Sequence, residues 1–324
     1  MPDVTAKTEA SVDPRVPAPA PHLDEESGQS PKKATSDKAR SLWSDAWHDL
    51  RRNPLFVVSA VLIVLLLTMT LFPGLFTDAS PRHGDLANRY LKEPELTHFF
   101  QPDWLGYDAQ GRSVWARIVH GARASVTVGV AVTLLVTLLG GVVGMLAGYF
   151  GGIVDSILAR ITDTFAGIPF LLGAMVVLTT FDVRTVWIVV LALAVLGWTQ
   201  IARVARGSVI STKQADYVQA ARALGASTGR IMFRHVLPNA IAPVIVVATI
   251  ALGGYIAAEA TLSFLGIGLS EPTVSWGGDV SSGQDQLRNA PFVLLFPAIM
   301  VSITVLAFIM LGDAVRNALD PKLR

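Results

Sequence analysis

Polar and apolar residues along this chain fall into long blocks rather than interleaving at a helical or strand period. Residues 1–40 carry almost no large apolar side chains, and the first apolar run begins near Leu55. Six later stretches are apolar over about 20 residues, the helical length that a bilayer core of about 30 Å requires. They lie near 55–76, 125–149, 164–181, 185–203, 240–262 and 291–311. A backbone in lipid must satisfy its hydrogen bonds within the segment, so each is predicted to be a helix. The repeated short alternation of a membrane β-barrel is absent. The pattern predicts an all-α integral membrane protein with six transmembrane helices.

The polar stretches divide the chain further. Residues 1–40 are rich in Pro, Ala, Ser and charged residues. They cannot bury enough apolar surface to offset ordering entropy, so a disordered cytoplasmic tail is expected. Residues 41–54 form a juxtamembrane segment in which Trp43, Trp47, Arg51 and Arg52 suit an interfacial anchor; an ordinary turn of helix explains them as well. Residues 55–124 hold the first span and an outer loop, 125–312 a membrane core with a cytoplasmic loop at 204–238, and 313–324 a cytoplasmic end. No early apolar run marks a cleavable signal peptide.

Basic residues set the orientation. Lys38, Arg40, Arg51 and Arg52 precede span one, Arg206, Lys213, Arg222, Arg230 and Arg234 lie between spans four and five, and Arg316, Lys322 and Arg324 follow span six. Six spans put all three groups on one side, which the positive-inside rule makes the cytoplasm. Both termini are then cytoplasmic. The outer loop 77–124 runs against the rule, with Arg82, Arg89, Lys92, Arg112, Arg117 and Arg123. Long loops cross largely regardless of charge.

Composition narrows the function. Charged residues make up 16% of the chain, against about 25% in soluble domains. The absence of cysteine excludes disulfides and thiolate chemistry. A net charge of +1 makes no case for nucleic acid. The spans hold essentially no ionisable side chains; Gln200 and Glu259, near span ends, come closest. Ion-coupled carriers need such groups at depth, which argues against a self-powered transporter. There is no G-x-x-x-x-G-K-[ST] loop, so the energy of any active transport must come from another subunit. His48, His83, His98, His120 and His235 show no metal spacing with carboxylates, and no G-x-S-x-G elbow occurs. No catalytic, cofactor or metal site is expected.

The most informative stretch is 211–243, STKQADYVQAARALGASTGRIMFRHVLPNAIAP. Residues 214–224 read as a short helix with small Ala220, Ala221 and Ala223 and larger Tyr217 and Leu224. Gly225 stands where a helix end needs a left-handed residue. Ser227 is placed to cap a second short helix running to about Val236, with span five beyond Pro238. Two short helices around a glycine corner make a stiff knob. It serves either to transmit a push to another protein or to brace the bundle.

This stretch resembles the EAA loop of ABC importer permeases, with pattern E-A-A-x3-G-x9-I-x-L-P. Gln219, Ala220, Ala221, Gly225, Leu237 and Pro238 stand at the family spacing, with Gln219 in place of Glu and His235 in place of Ile. The run Arg234-His235-Val236-Leu237-Pro238 is similar to the dipeptide/oligopeptide/nickel branch. Two further stretches resemble that branch. One is Leu105, Gly106, Asp108, Gly111 and Arg112 followed by Gly121, Ala122, Arg123 and Ser125; the other is Glu259, Leu262 to Gly266, Gly268, Pro272 and Ser275 to Gly277. The resemblance covers about residues 45–324. It implies a type I ABC importer permease fold in a bacterial inner membrane. The implied partners are a second homologous permease, ATP-binding subunits holding ATP and Mg, and an extracytoplasmic substrate-binding protein. The implied cargo is di- or oligopeptides, with nickel, glutathione or another solute as alternatives. The loop becomes the coupling helix that docks on the ATPase.

Other features admit two readings each. Gly140, Gly144 and Gly148 form a small-residue stripe for helix packing or substrate contact. Asp155, Arg160 and Asp163, which resemble a branch motif, form a polar staple or a gate. Pro169 is expected to kink span three. Glu259 pairs structurally or meets a peptide amine. Trp104, Tyr107, Trp115 and Trp276 contact the binding protein or form an aromatic belt.

Overall fold

The structure, a computed structural model, describes residues 50–319. The expected tail at 1–40, most of the juxtamembrane segment and the last five residues lie outside them.

Helix α1, Pro54–Leu71, starts with Asn53 accepting from the Leu55 amide at 2.9 Å and proline in its first turn. Proline fits there because that N–H has no helical partner. A loop follows, and α2, Val114–Phe150, opens with Ser113 accepting from the Ala116 amide. Its 37 residues rise about 55 Å, well beyond a bilayer core. The expected span at 125–149 is therefore only the C-terminal part of a longer helix.

Span three departs from expectation. Helix α3, Gly152–Ala166, and helix α4, Phe170–Leu178, meet at 79° across Gly167–Pro169. Stretch 150–163 is mostly helix, and the break falls where Pro169 lacks an amide and disfavours helix in the residue before it. Helix α5, Val186–Lys213, then leads to a short α6, Asp216–Ala223. A helical turn at Thr228–Arg230 and a π-helical turn at Ile231–Val236 run directly into α7, Leu237–Phe264. The second short helix of the loop is thus the leading end of α7, not a separate element. Helices α8, Trp276–Gly283, and α9, Phe292–Leu319, complete the described chain.

Among the described residues five helices are long and apolar enough to cross a membrane, and the bent pair is the sixth candidate. Contacts between helix ends decide its status. Lys213, ending α5, donates to the carbonyls of Gly148 and Tyr149 at the end of α2. Arg184, just before α5, donates to Gly268 beyond the end of α7. Trp276 of α8 donates to Ile118 near the start of α2. The starts of α2 and α5 therefore share one side, and their ends share the other. The α3–α4 pair joins the end of α2 to the start of α5, so it must cross. Trp115 donates to Phe76 beyond α1, and Phe292 packs beside Gly106, so α1 ends and α9 starts on the side where α2 and α5 start. Six crossings leave the start of α1 and the end of α9 on one side.

The glycine stripe supports the packing reading. A Cβ at Gly140 would lie 2.5 Å from the Trp198 carbonyl, one at Gly144 2.7 Å from the Ala205 Cβ, and one at Gly148 2.8 Å from the Arg206 carbonyl. Lipid tails are as apolar as side chains, so close van der Waals packing supplies much of helix association. Val128, Val132, Val136, Leu193, Ile201 and Leu262 fill the core beside this seam.

Candidate functional site

The loop between α5 and α7 is built as a capped corner on a small core. Helix α6 ends in two paired bonds: the Gly225 amide donates to Arg222 O at 3.0 Å, and the Ala226 amide to Ala221 O at 3.1 Å. Gly225 has φ +79°. This is a Schellman ending, which requires a left-handed residue at that position. Ser227 occupies the next helix start, yet its side chain makes no capping bond. Val218, Ile231 and Val236 are buried with Val209 and Ala240, and Met145 and Tyr149 of α2 pack against them. The Gln219 amide group donates to Lys213 O at 3.0 Å. Gln219 thus ties α6 to the end of α5, whose Lys213 in turn caps α2.

The remaining predicted loop residues lie toward solvent. Tyr217 is exposed, Ala220, Gly225, Arg234 and Pro238 are exposed, and Ala221, His235 and Leu237 are half-buried. Leu224, at the corner, is 88% exposed. Asn239 donates to His235 O at 2.7 Å, which stiffens the entry into α7.

The staple exists with different partners. Asp155 accepts from Arg206 at 2.5 and 2.7 Å, and Asp163 pairs with Arg203 at 3.3 Å. Arg160 is exposed and forms no ion pair among the described residues. The two acids sit about two turns apart on α3 and meet two arginines one turn apart on α5. Neither arginine is legible from the sequence as a partner of these acids, because spacing within one segment does not report a crossing helix.

At the opposite end of the bundle, motif residues distant in sequence converge. The Asp108 carboxylate accepts from the amides of Gln110 and Arg112 and, at 2.7 Å, from Arg112 Nε. Arg117 donates to Asp279 at 2.7 Å through Nε, with a second bond from its terminal nitrogen, and to Pro81 O at 3.1 Å. Glu259 is fully buried and accepts from Ser125 at 2.9 Å and Ser263 at 2.8 Å. Trp276 is fully buried too, with its amide donating to Ser125. Glu259 is thus enclosed by two serine hydroxyls between α2 and α7. Trp115, Tyr107 and Trp276 are buried, and Trp104 packs edge-on against Trp115 at 4.7 Å. They form an outer core in place of the expected belt or contact surface. Asp279 and Arg117 were missed as partners; a lone acid in the glycine-rich Trp276–Gly283 segment was the available signal.

One cluster runs against the histidine reading. Glu95, His98 and Asp103 bring ligand atoms within 4.8 Å of one another. Internal pairs account for it: Lys92 meets Glu95 at 2.7 Å, and His98 meets Asp103 at 2.9 Å. The Asp103 carboxylate, and secondarily Glu95, holds the His98 imidazole above its usual pKa.

A six-crossing bundle with a bent third span and a braced knob at one end is the type I ABC importer permease fold. A subunit of the MetNI methionine ABC transporter, solved in an inward-facing conformation, matches with TM-score 0.51 and 20% identity over 62% of this chain and 96% of that one. The chain belongs to the family of binding-protein-dependent transport system inner membrane components, whose model matches residues 140–324. A second model, the N-terminal TM domain of oligopeptide transport permease C, matches residues 41–94. The oligopeptide transport system permease protein OppC of Bacillus subtilis (strain 168) is 37% identical over 89% of this chain and 92% of its own length. The dipeptide transport system permease protein DppC of Alkalihalophilus pseudofirmus is 34% identical, over 91% of this chain and 95% of its own length. The glutathione transport system permease protein GsiD of Shigella flexneri is 35% identical, over 89% and 93%.

Proposed function

We propose that this chain is one permease subunit of an ATP-driven, binding-protein-dependent importer that carries di- and oligopeptides across the bacterial inner membrane. The inner knob is its coupling element. The observation that carries the reading is a corner that exposes Leu224 and Tyr217 while its buried side is locked to α2 and α5. An exposed apolar tip on a rigid base suits a socket in a partner. The partner is an ATPase, which holds ATP and Mg; this chain holds no cofactor of its own and performs no bond chemistry. A second, homologous permease completes the pathway, and an extracytoplasmic binding protein delivers the solute. The loop side of the bundle, with both chain ends, faces the cytoplasm. Closure of the ATPases on ATP draws the two knobs together, and the brace from α6 through Lys213 passes that motion to α2 and α5. The Asp155–Arg206 and Asp163–Arg203 pairs hold α3 against α5 at the inner surface, where a gate would part.

A second reading, glutathione as cargo, is favoured by the GsiD relative. Glutathione is itself a tripeptide, so uptake competition among labelled peptides, glutathione and nickel ranks the cargo. The docking claim is tested by Leu224→Asp. An interface anchor contributes about 2 kcal/mol or more, so ATPase affinity should fall at least about thirtyfold with membrane level unchanged. Unaltered co-purification of the ATPase and unaltered uptake would refute docking through this corner.

A further inference from the structure

Resting on that import reading, we infer that a cavity at the outer end of α2 is a carboxylate-binding subsite, which takes the C-terminal carboxylate of the peptide released by the binding protein. The outer loop carries six basic residues against the charge rule, and four of them have partners. Arg112 pairs with Asp108, Arg117 with Asp279 and Lys92 with Glu95, while Arg89 lies over the Tyr107 ring at 5.1 Å. Arg82 and Arg123 have no acidic partner among the described residues, and both line one cavity of about 570 Å³. That volume lies within the roughly 300–1,000 Å³ of small-molecule sites.

The lining has one sign of charge. Among the described residues no acidic side chain contributes to it. His120, one turn before Arg123, also lines it, with Nδ1 at 2.9 Å from Ala116 O. Thr127 adds a hydroxyl, and Trp187, 63% exposed, adds an apolar wall. Guanidinium groups bind carboxylates in paired, charge-assisted hydrogen bonds. The walls are held in place: Pro81, beside Arg82, accepts from the buried Arg117, and Thr273 and Val274 lead into the Ser275 cap of α8. A cationic solute group would be repelled, and a neutral one would leave both arginines without a counter-charge. A concave site suits a chain end better than it suits a protein surface, so an acidic patch of the binding protein is the competing occupant.

The test uses the whole transporter in proteoliposomes with its binding protein. Initial uptake of a labelled free-acid dipeptide is measured alongside the binding-protein concentration that half-saturates ATPase stimulation. Arg82→Gln with Arg123→Gln should lower uptake about tenfold, the scale of a lost charge-assisted bond, and leave that half-saturation unchanged. Arg82→Lys with Arg123→Lys should retain more uptake than the glutamine pair. If the glutamine pair does not assemble, Arg123→Gln alone carries the same comparison. Wild-type uptake by an assembled variant overturns the subsite. A rise in half-saturation that parallels the uptake loss assigns the arginines to binding-protein docking and also overturns it. A wild-type complex that imports no peptide overturns the import reading itself, and is recorded before any variant is made.

Discussion

Substituting Gly225 separates backbone geometry from every other property of the inner corner. Its φ is +79°, and nothing lies within 4 Å of where a Cβ would stand. A side chain there meets no neighbour, so the whole penalty comes from the left-handed backbone. Alanine should cost about 1–2 kcal/mol, with asparagine below that because its side chain can bond locally. Valine should cost more, since β-branching makes a positive φ a true outlier. Proline is incompatible twice: its φ is held near −65°, and it lacks the N–H that donates to Arg222 O at 3.0 Å. Its cost is at least about 3 kcal/mol. Each 1.4 kcal/mol, roughly, is tenfold in the population of the ordered corner. Peptide uptake per unit of membrane-inserted protein should therefore fall in the order Gly, Asn, Ala, Val, Pro, with little left for proline. Co-purified ATPase should fall in the same order, while α1 to α5 stay inserted. Valine or proline variants with wild-type uptake would refute the claim that this corner's shape couples the subunits.

Three further outcomes follow from the packing and charges. Gly144→Val forces α2 away from Ala205 and Arg206 of α5, an overpacking cost of about 1–3 kcal/mol, and should lower the melting temperature of the detergent-solubilised subunit; an unchanged melting temperature would contradict the close seam. Glu259→Ala strands the Ser125 and Ser263 hydroxyls and opens a cavity, so it should destabilise by about 2–4 kcal/mol, with Glu259→Gln milder because it keeps an acceptor and the volume; equal stability of the alanine and glutamine variants would argue against the buried network. The His98–Asp103 pair raises the folded imidazole pKa above its value of 6.5, so its stabilisation is full below that value and is lost as pH climbs through the raised one. Hydrogen exchange around residues 95–104 should accordingly quicken as pH rises through this window, after correction for intrinsic rates, and His98→Gln should abolish the step; a step that survives in the glutamine variant would sink the assignment.

Much of the outer site was visible as motif and invisible as geometry. Asp108 and Arg112, Glu259 and Leu262 to Gly266, and Ser275 to Gly277 resemble a known branch, yet nothing in their spacing says that Ser125 bridges Glu259 and Trp276. The same limit explains the misread tryptophans. An aromatic residue in a polar-flanked loop suits an interfacial belt, and only the fold shows Trp276 with its indole N–H on Ile118 O, wholly buried. The apparent breach of the charge rule had a similar origin: Arg112 and Arg117 count as exposed charges in a sequence, but are neutralised by Asp108 and Asp279 in the fold.

Local chemistry alone determined the apolar blocks, their helical state in lipid, the break at Pro169 and the left-handed Gly225, because each depends on neighbouring residues or on the solvent. Tertiary structure decided the rest. That α3 and α4 cross as one bent span follows from which helix ends meet, through Lys213 on α2 and Arg184 on the end of α7. That Asp155 and Asp163 choose Arg206 and Arg203, and that Arg82 and Arg123 face one cavity, depends on distances between segments far apart in the chain. A sequence constrains such distances only through the whole folded bundle, and no window along it contains them.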